Sequence, residues 1–337
     1  MGTAQFAVPC LRSLLATQHK SDFAPTCRGR ISDLNVVAVY TQPDRPAGRG
    51  REPAASPVKK LAIASGIEVV QPTSLRDTAA IEKLAGFKPD VIIVAAYGLI
   101  LPQAALDLPG HGVLNVHPSL LPRHRGASPI PGAILEGDPV TGVSIMLMDA
   151  GMDTGPVLAQ ETALVAAEDN ALTLGTKLAA MAAGMLPDAL DGWVRGELKA
   201  VPQDASKATC SRLISKEDGE IDWRLPAVVL WRRVRAFYPW PGCYTRWQGK
   251  LIKIVEAAPI PQRVAGLPGR VIALDPGSPG GLVGVETGEG VLGLLRLHME
   301  GKKEAGAAEF VRGHRGFIGS QLPLRQPDGG ANIIQQK

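Results

Sequence analysis

The chain has 337 residues, 45% hydrophobic and 20% charged, with a formal net charge of +4. Its length favours two unequal domains, and without a run of eighteen apolar residues neither a disordered chain nor a helical membrane span fits. The charge is uneven: residues 1–207 hold 18 Lys+Arg against 20 Asp+Glu and residues 208–337 hold 18 against 12, which suggests a near-neutral body and a basic tail able to meet a polyanion.

The opening residues MGTAQFAVPC carry neither the basic start nor the long apolar stretch of a signal peptide, which points to a soluble, cytoplasmic protein. Val36–Tyr40 and Val91–Ala96 read as buried strands, with helices over Ser56–Ala64 and Asp77–Ala85 between them, the alternation of a doubly wound, Rossmann-like, mostly parallel sheet with flanking helices. The segment His19–Asp33 reads as a surface insertion. A third strand is expected over Gly112–Val116, and the alternation of Val143, Ile145 and Leu147 predicts a half-buried fourth. Leu174, Leu178, Met181 and Met185 recur at helical spacing, and Pro187 within that pattern predicts a kink or two shorter helices. The pattern weakens around Glu197–Ser215. Beyond it, short apolar pieces between Gly and Pro clusters read as a smaller β-barrel of the OB type. The expected division is residues 1–199, a linker over 200–214, and 215–337.

The four cysteines, Cys10, Cys27, Cys210 and Cys243, form no CxxC pair and lack a histidine at zinc spacing, so neither a disulfide framework nor a metal site is expected. No GxGxxG follows Gly2 and GRGRE lacks the Gly-Lys-Ser/Thr ending of a phosphate loop, which disfavours a nicotinamide dehydrogenase and a nucleotide hydrolase. The chemistry concentrates in GVLNVHPSLLPRHRGASPI (112–130) and MDAGMDTGPVL (148–158). Asn115 and His117, two apart at a strand end, project to one face, and Asp153 lies in a glycine-flanked loop from which a carboxylate can be aimed into a cleft. With no Ser or Cys nucleophile beside them, they suggest direct acyl transfer: the Asn amide and a protonated His donate to an oxyanion, and Asp153 holds the imidazolium. Taken singly, a histidine at a strand end is as readily structural, and an Asp beside Gly is commonly a turn residue.

NVHPSLLP, RGASPI and MDAGMDTG together resemble the 10-formyltetrahydrofolate-dependent formyltransferases. TQPDRPAGRG, SPVK, VAAYGLILP, IDW and RAFYPWPG extend the resemblance to the methionyl-tRNA formyltransferases, from Gly2 to about Leu322. The resemblance implies that Asn115, His117 and Asp153 are catalytic, that Ser119, Leu120, Leu121 and Pro122 bind the tetrahydrofolate, and that Arg49 engages tRNA. It implies 10-formyltetrahydrofolate as formyl donor, initiator methionyl-tRNA as acceptor and no metal. It further implies that the OB-like domain over 215–337 binds tRNA; a catalytic domain over 1–199, no membrane partner and a monomer are the default expectations. A formyltransferase for a nucleotide-linked amino sugar or another small amine is the nearest alternative. Arg232, Arg233 and Arg235 with Trp231, Trp240 and Trp247 are candidates for a basic face in the tail. The sequence departs from the family pattern at the long segment His19–Asp33, at Pro187, at His124, which stands where an aromatic residue is usual, and at its start, where the short strand that usually precedes Met-Gly-Thr is missing. That absence predicts a gap in the middle of the sheet and a start codon upstream of Met1.

Overall fold

The computed structural model describes residues 1–18, 34–47, 52–261, 266–275 and 277–325. The segment expected as an insertion, 19–33, lies outside them, as do Cys27 and Arg49. The described residues divide into two compact units, one reaching to Leu213 and the other from Ile214 onward, the second also taking Ile134–Gly137 and Glu168–Leu172.

The first unit is a sheet covered by helices. Strand Val39–Tyr40 pairs in parallel with Val69–Val70, and Ile92–Val94 pairs in parallel with Val113–His117. Between these pairs sits the start of the chain: Gly2 N donates to Tyr40 O (2.9 Å), and Ala95 N donates to Met1 O (2.9 Å). Alongside runs an apolar cavity of about 140 Å³ bordered by Met1, Leu14, Val39, Leu84, Phe87 and Ile92, and burial pushes the Met1 amine down to about 5. The expected gap is only partly closed: Met1 and Gly2 bond across it, and the cavity lies between Leu34–Val39 and Val91–Ile93.

The sheet is parallel from Val69–Val70 through the chain start to Val113–His117 and turns antiparallel only beyond it. Strand Val140–Leu147 runs antiparallel to Val113–His117, and Val157–Leu164 runs antiparallel to Val140–Leu147. The two long strands form a hairpin whose connection carries the MDAGMDTG motif, and a hairpin can only return antiparallel. Gly155 permits the tight return, because a Cβ there would stand 1.8 Å from Leu147 O. Thr141–Met146 are buried on both faces, so the strand expected to be half-buried is central.

Local chemistry explains the helices. Ser56 caps helix Pro57–Ala64 by accepting from Lys59 N (3.1 Å), with proline in the first helical turn. Helix Ala171–Val194 is one element through Pro187, where two shorter ones were among the expectations. Proline there cannot donate to Ala183 O, and Ser13 Oγ, from helix Ala7–Gln18, supplies the missing bond at 2.6 Å. Leu174, Leu178, Ala182 and Leu186 form the buried stripe, while Met181 and Met185 are half-buried at its edge.

The second unit is β-rich. Its antiparallel path runs Cys243–Trp247, Lys250–Ile260, Val291–Met299, Val283–Glu286, Val271–Ala273. Ile221 and Trp223 of the IDW segment are buried in it, at 2% and 0% exposure. Each of the clustered tail arginines donates to a backbone carbonyl, Arg232 to Glu136 O (3.2 Å), Arg233 to Asp218 O (2.5 Å) and Arg235 to Asp169 O (2.7 Å), and all three stay half-buried. Arg235 also lies over the Trp231 ring (4.3 Å), Trp247 is buried, and Trp240 is 61% exposed. No helix among the described residues is long and apolar enough to cross a membrane.

Candidate active site

Strand Val113–His117 sets the site. Its five residues are buried, so Asn115 and His117 leave the same side of a central strand at its carboxyl end, where ligands of open α/β sheets bind. The hairpin loop brings Asp153 across to them. Asp153 adopts φ +52°, a left-handed backbone uncommon for a non-glycine residue. Its Oδ1 accepts from Asn115 Nδ2 (3.1 Å) and its Oδ2 accepts from Gly126 N (2.8 Å). The same Oδ2 stands 3.6 Å from His117 Nδ1.

The two histidine nitrogens therefore differ. His117 Nε2 lies 3.0 Å from the His124 carbonyl, which can only accept, so Nε2 carries the proton. Nδ1 faces Asp153 beyond hydrogen-bond distance. Burial pushes the His117 imidazole below its ordinary 6.5, with Asp153 and the His124 carbonyl opposing. At neutral pH the ring is uncharged. The protonated imidazole expected from sequence is disfavoured at rest, because burial outweighs Asp153 and the His124 carbonyl.

The turn after His117 is secured from the neighbouring strands. Ser144, in register with His117, donates to Ser119 O (2.6 Å) and accepts from Leu121 N (3.0 Å), and Gln160 Nε2 donates to both Ser144 Oγ (2.8 Å) and Leu121 O (2.8 Å). Ser119 is fully buried and donates to Arg123 O (2.6 Å). Ser119 and Leu121 thus point inward, while Leu120 and Pro122 remain half-buried.

The stretch 200–214 also contributes. Gln203 Nε2 donates to Asp153 O (2.8 Å) and Gly155 O (2.7 Å), while its Oε1 accepts from Arg125 Nε (3.0 Å) and from a terminal guanidinium nitrogen of the same residue (2.8 Å). Thr209 Oγ1 accepts from His124 N (2.9 Å), and Cys210–Ser211 pairs in parallel with Arg125–Gly126. These residues of the expected linker clamp both loops of the site.

The family model for formyl transferase matches residues 15–190, and the model for its C-terminal domain matches residues 213–315. The chain belongs to the formyl transferase family. A methionyl-tRNA formyltransferase of Myxococcus xanthus is 46% identical over 95% of this chain and 96% of its own. Among solved structures, an N-formyltransferase of Helicobacter canadensis, in complex with folinic acid and dTDP-3-aminofucose, aligns with TM-score 0.57 at 14% identity over 86% of this chain and 95% of that one. Aquifex aeolicus HypX in complex with tetrahydrofolic acid aligns with TM-score 0.54 at 21% identity over 76% of this chain and 44% of that longer chain. At those identities the solved structures speak to the fold.

Within this formyltransferase the structure brings Asn115, His117 and Asp153 together and places Ser119–Pro122 directly behind His117. Arg49 and Arg51 lie outside the described residues, but the base of their loop is anchored. Arg45–Ala47 pairs with Glu52–Ala54, and Asp44, held below its ordinary value by Lys59 (2.6 Å) and Gln71 (2.8 Å), ties it to helix Pro57–Ala64. Sequence reasoning missed Ser144, Gln160, Arg125, Gln203 and Thr209. A polar Gln160 opposite a buried Ser144 was a signal of a kind, whereas nothing local marks Gln203. Among the described residues no group of three or more His, Cys, Asp and Glu side chains is arranged to hold a metal ion.

Proposed function

We propose that this chain transfers the formyl group of 10-formyltetrahydrofolate to the methionine α-amino group of initiator methionyl-tRNA. The observation carrying the reaction type is the convergence of Asn115 and Asp153 at 3.1 Å and of His117 Nδ1 and Asp153 at 3.6 Å. The acceptor follows from near full-length similarity to a methionyl-tRNA formyltransferase. One amide hydrogen of Asn115 is engaged by Asp153, leaving the second to donate to the formyl oxygen as it becomes an oxyanion. The amine attacks the formyl carbon and gives its proton to His117 Nδ1. Asp153 stabilises the resulting imidazolium, the ring passes that proton to N10, and the carbon–N10 bond breaks.

The folate lies along Ser119–Pro122, which offers backbone, Leu120 and Pro122 rather than the inward Ser119 hydroxyl. Arg49 meets phosphates or an unpaired base of the acceptor arm. Residues 1–199 form the catalytic domain, 200–214 a linker and 215–337 an OB-like tRNA-binding domain. The antiparallel path of the second unit, with its irregularity between Ile254 and Ala257, supports the OB reading. The protein acts in the cytoplasm as a monomer.

Purified protein is incubated with 10-formyltetrahydrofolate and, in turn, methionyl-tRNA, a nucleotide-linked amino sugar and glycinamide ribonucleotide. Formylation of methionyl-tRNA alone is expected, and formylation of the sugar without the tRNA overturns the reading. Arg49→Ala raises KM for methionyl-tRNA several-fold and flattens its salt dependence, with kcat preserved. A KM equal to the parent's at every ionic strength removes Arg49 from the interface.

A further inference from the structure

His124 has no part in the reaction above, yet its backbone carbonyl is the partner that assigns the His117 tautomer, at 3.0 Å from Nε2. That carbonyl is aimed by an unfavourable backbone, φ +55° at a residue with a bulky side chain. Thr209 Oγ1 holds the His124 N–H (2.9 Å), and the side chain is held as well. The His124 ring is 4% exposed, and its Nε2 lies 2.6 Å from Asp138 Oδ2. The other carboxylate oxygen, Oδ1, accepts from Arg123 (2.6 Å). Burial raises the Asp138 carboxyl, and the hydrogen bonds from Arg123 and His124 outweigh it, leaving the group below its ordinary value and ionised at neutral pH.

Gly132 packs close to the ring: a Cβ there would come within 2.9 Å of His124 Nδ1. The ring also borders a cavity of about 190 Å³ shared with Leu120, Val140 and Thr141. On this side the Asp138 carboxylate fixes the ring through Nε2.

We propose that Asp138 and His124 are positioning residues for His117: the Asp138 carboxylate anchors the His124 ring, and the anchored residue holds its carbonyl on His117 Nε2, so that Nδ1 is the nitrogen offered to the reacting amine. The proposal rests on the catalytic reading of His117. The charged and titratable groups facing His117 are Asp153 and His124, and those facing Asp138 are His124 and Arg123. Without the carbonyl, His117 loses an acceptor that favours its protonated form. Its midpoint then moves further to acid and its neutral form divides between tautomers.

The test is the full-length Asp138→Ala variant, read by the nitrogen-15 resonances of His117 and by the pH profile of kcat. Expected are mixed tautomer signals, a midpoint displaced to lower pH, kcat reduced by about ten- to a hundred-fold and KM for methionyl-tRNA within two-fold of the parent. Asp138→Asn, which keeps an acceptor for His124 Nε2, restores part of the loss. If Asp138→Ala proves unfolded, His124→Phe, which keeps the ring's bulk without the ion pair, is expected to give the same His117 signals and shift. Parental His117 signals and midpoint in a folded variant of either kind overturn the proposal. His117→Ala separates the two ideas: full turnover there removes the catalytic reading itself, whereas an inactive His117→Ala beside an unperturbed Asp138→Ala removes only the positioning pair.

Discussion

Replacing Asp153 by Asn leaves the shape of the site almost unchanged and removes its one negative charge facing His117. The carboxylate stands 3.6 Å from Nδ1, with 15% side-chain exposure. At an effective dielectric constant near 20, a unit charge at that separation stabilises the imidazolium by about 4 to 5 kcal/mol, an upper figure because the side chain is partly solvated. A second effect adds to it. Both oxygens accept from neutral donors, Asn115 Nδ2 and Gly126 N, and an Asn can offer its single oxygen to only one of them. The unpaired donor costs a further ~1 to 3 kcal/mol, felt mainly as loosening of the loop. Since His117 is neutral at rest, the charge effect appears in kcat rather than in folding or substrate binding. Single-turnover transfer of labelled formyl to methionyl-tRNA, with saturating folate at pH 7.5, is expected to slow by about a hundred- to a thousand-fold. A rate within three-fold of the parent would refute the assignment of the developing positive charge to His117.

The pH dependence follows from the same residue. Because burial depresses His117, kcat should rise with pH to a plateau with its midpoint below 6.5, the value expected of an exposed ring, and a midpoint above 6.5 would contradict the neutral resting state. Linkage gives a companion result in chemical denaturation: the unfolded chain takes up this proton more readily, so the His117 contribution is intact above pH ~6.5 and diminishes as pH falls toward the folded midpoint. Gln203→Ala releases the Asp153 and Gly155 carbonyls together with Arg125, and should lower kcat about ten-fold with little change in Tm, as for a positioning group. Equal turnover in a steady-state assay would remove Gln203 from the site. Ser13→Ala leaves the Ala183 carbonyl unbonded beneath Pro187 and should cost about 1 to 2 kcal/mol in urea unfolding, with kcat unaffected; an unchanged midpoint would mean that the carbonyl finds another partner.

Much of the site was legible because its chemistry is compressed into two short stretches. Asn115 and His117 share a strand face by the two-residue repeat alone, and Gly151 and Gly155 mark the turn that swings Asp153 toward them. The supports were hidden because they arrive from far along the chain. Gln203 is 50 residues from Asp153, and Thr209 is 85 from His124. Both sit in a stretch whose composition reads as a connection, since a short polar segment bound by side-chain hydrogen bonds carries no hydrophobic period. The antiparallel turn of the sheet escaped notice for a related reason: apolar strand runs report burial, not direction. Nor did the clustering of the tail arginines show that Arg232, Arg233 and Arg235 each donate to a backbone carbonyl of this same chain.

The clamp formed by Gln203, Thr209 and Ser211 sets where this enzyme can be cut. A fragment ending at residue 199 would keep Asn115, His117 and Asp153 and discard the strap that holds two of their loops in place. Anyone grafting a different tail onto this body to redirect it toward another acceptor should splice beyond Leu213. A junction even a dozen residues earlier would yield a chimera with all of its reacting groups and little of its speed.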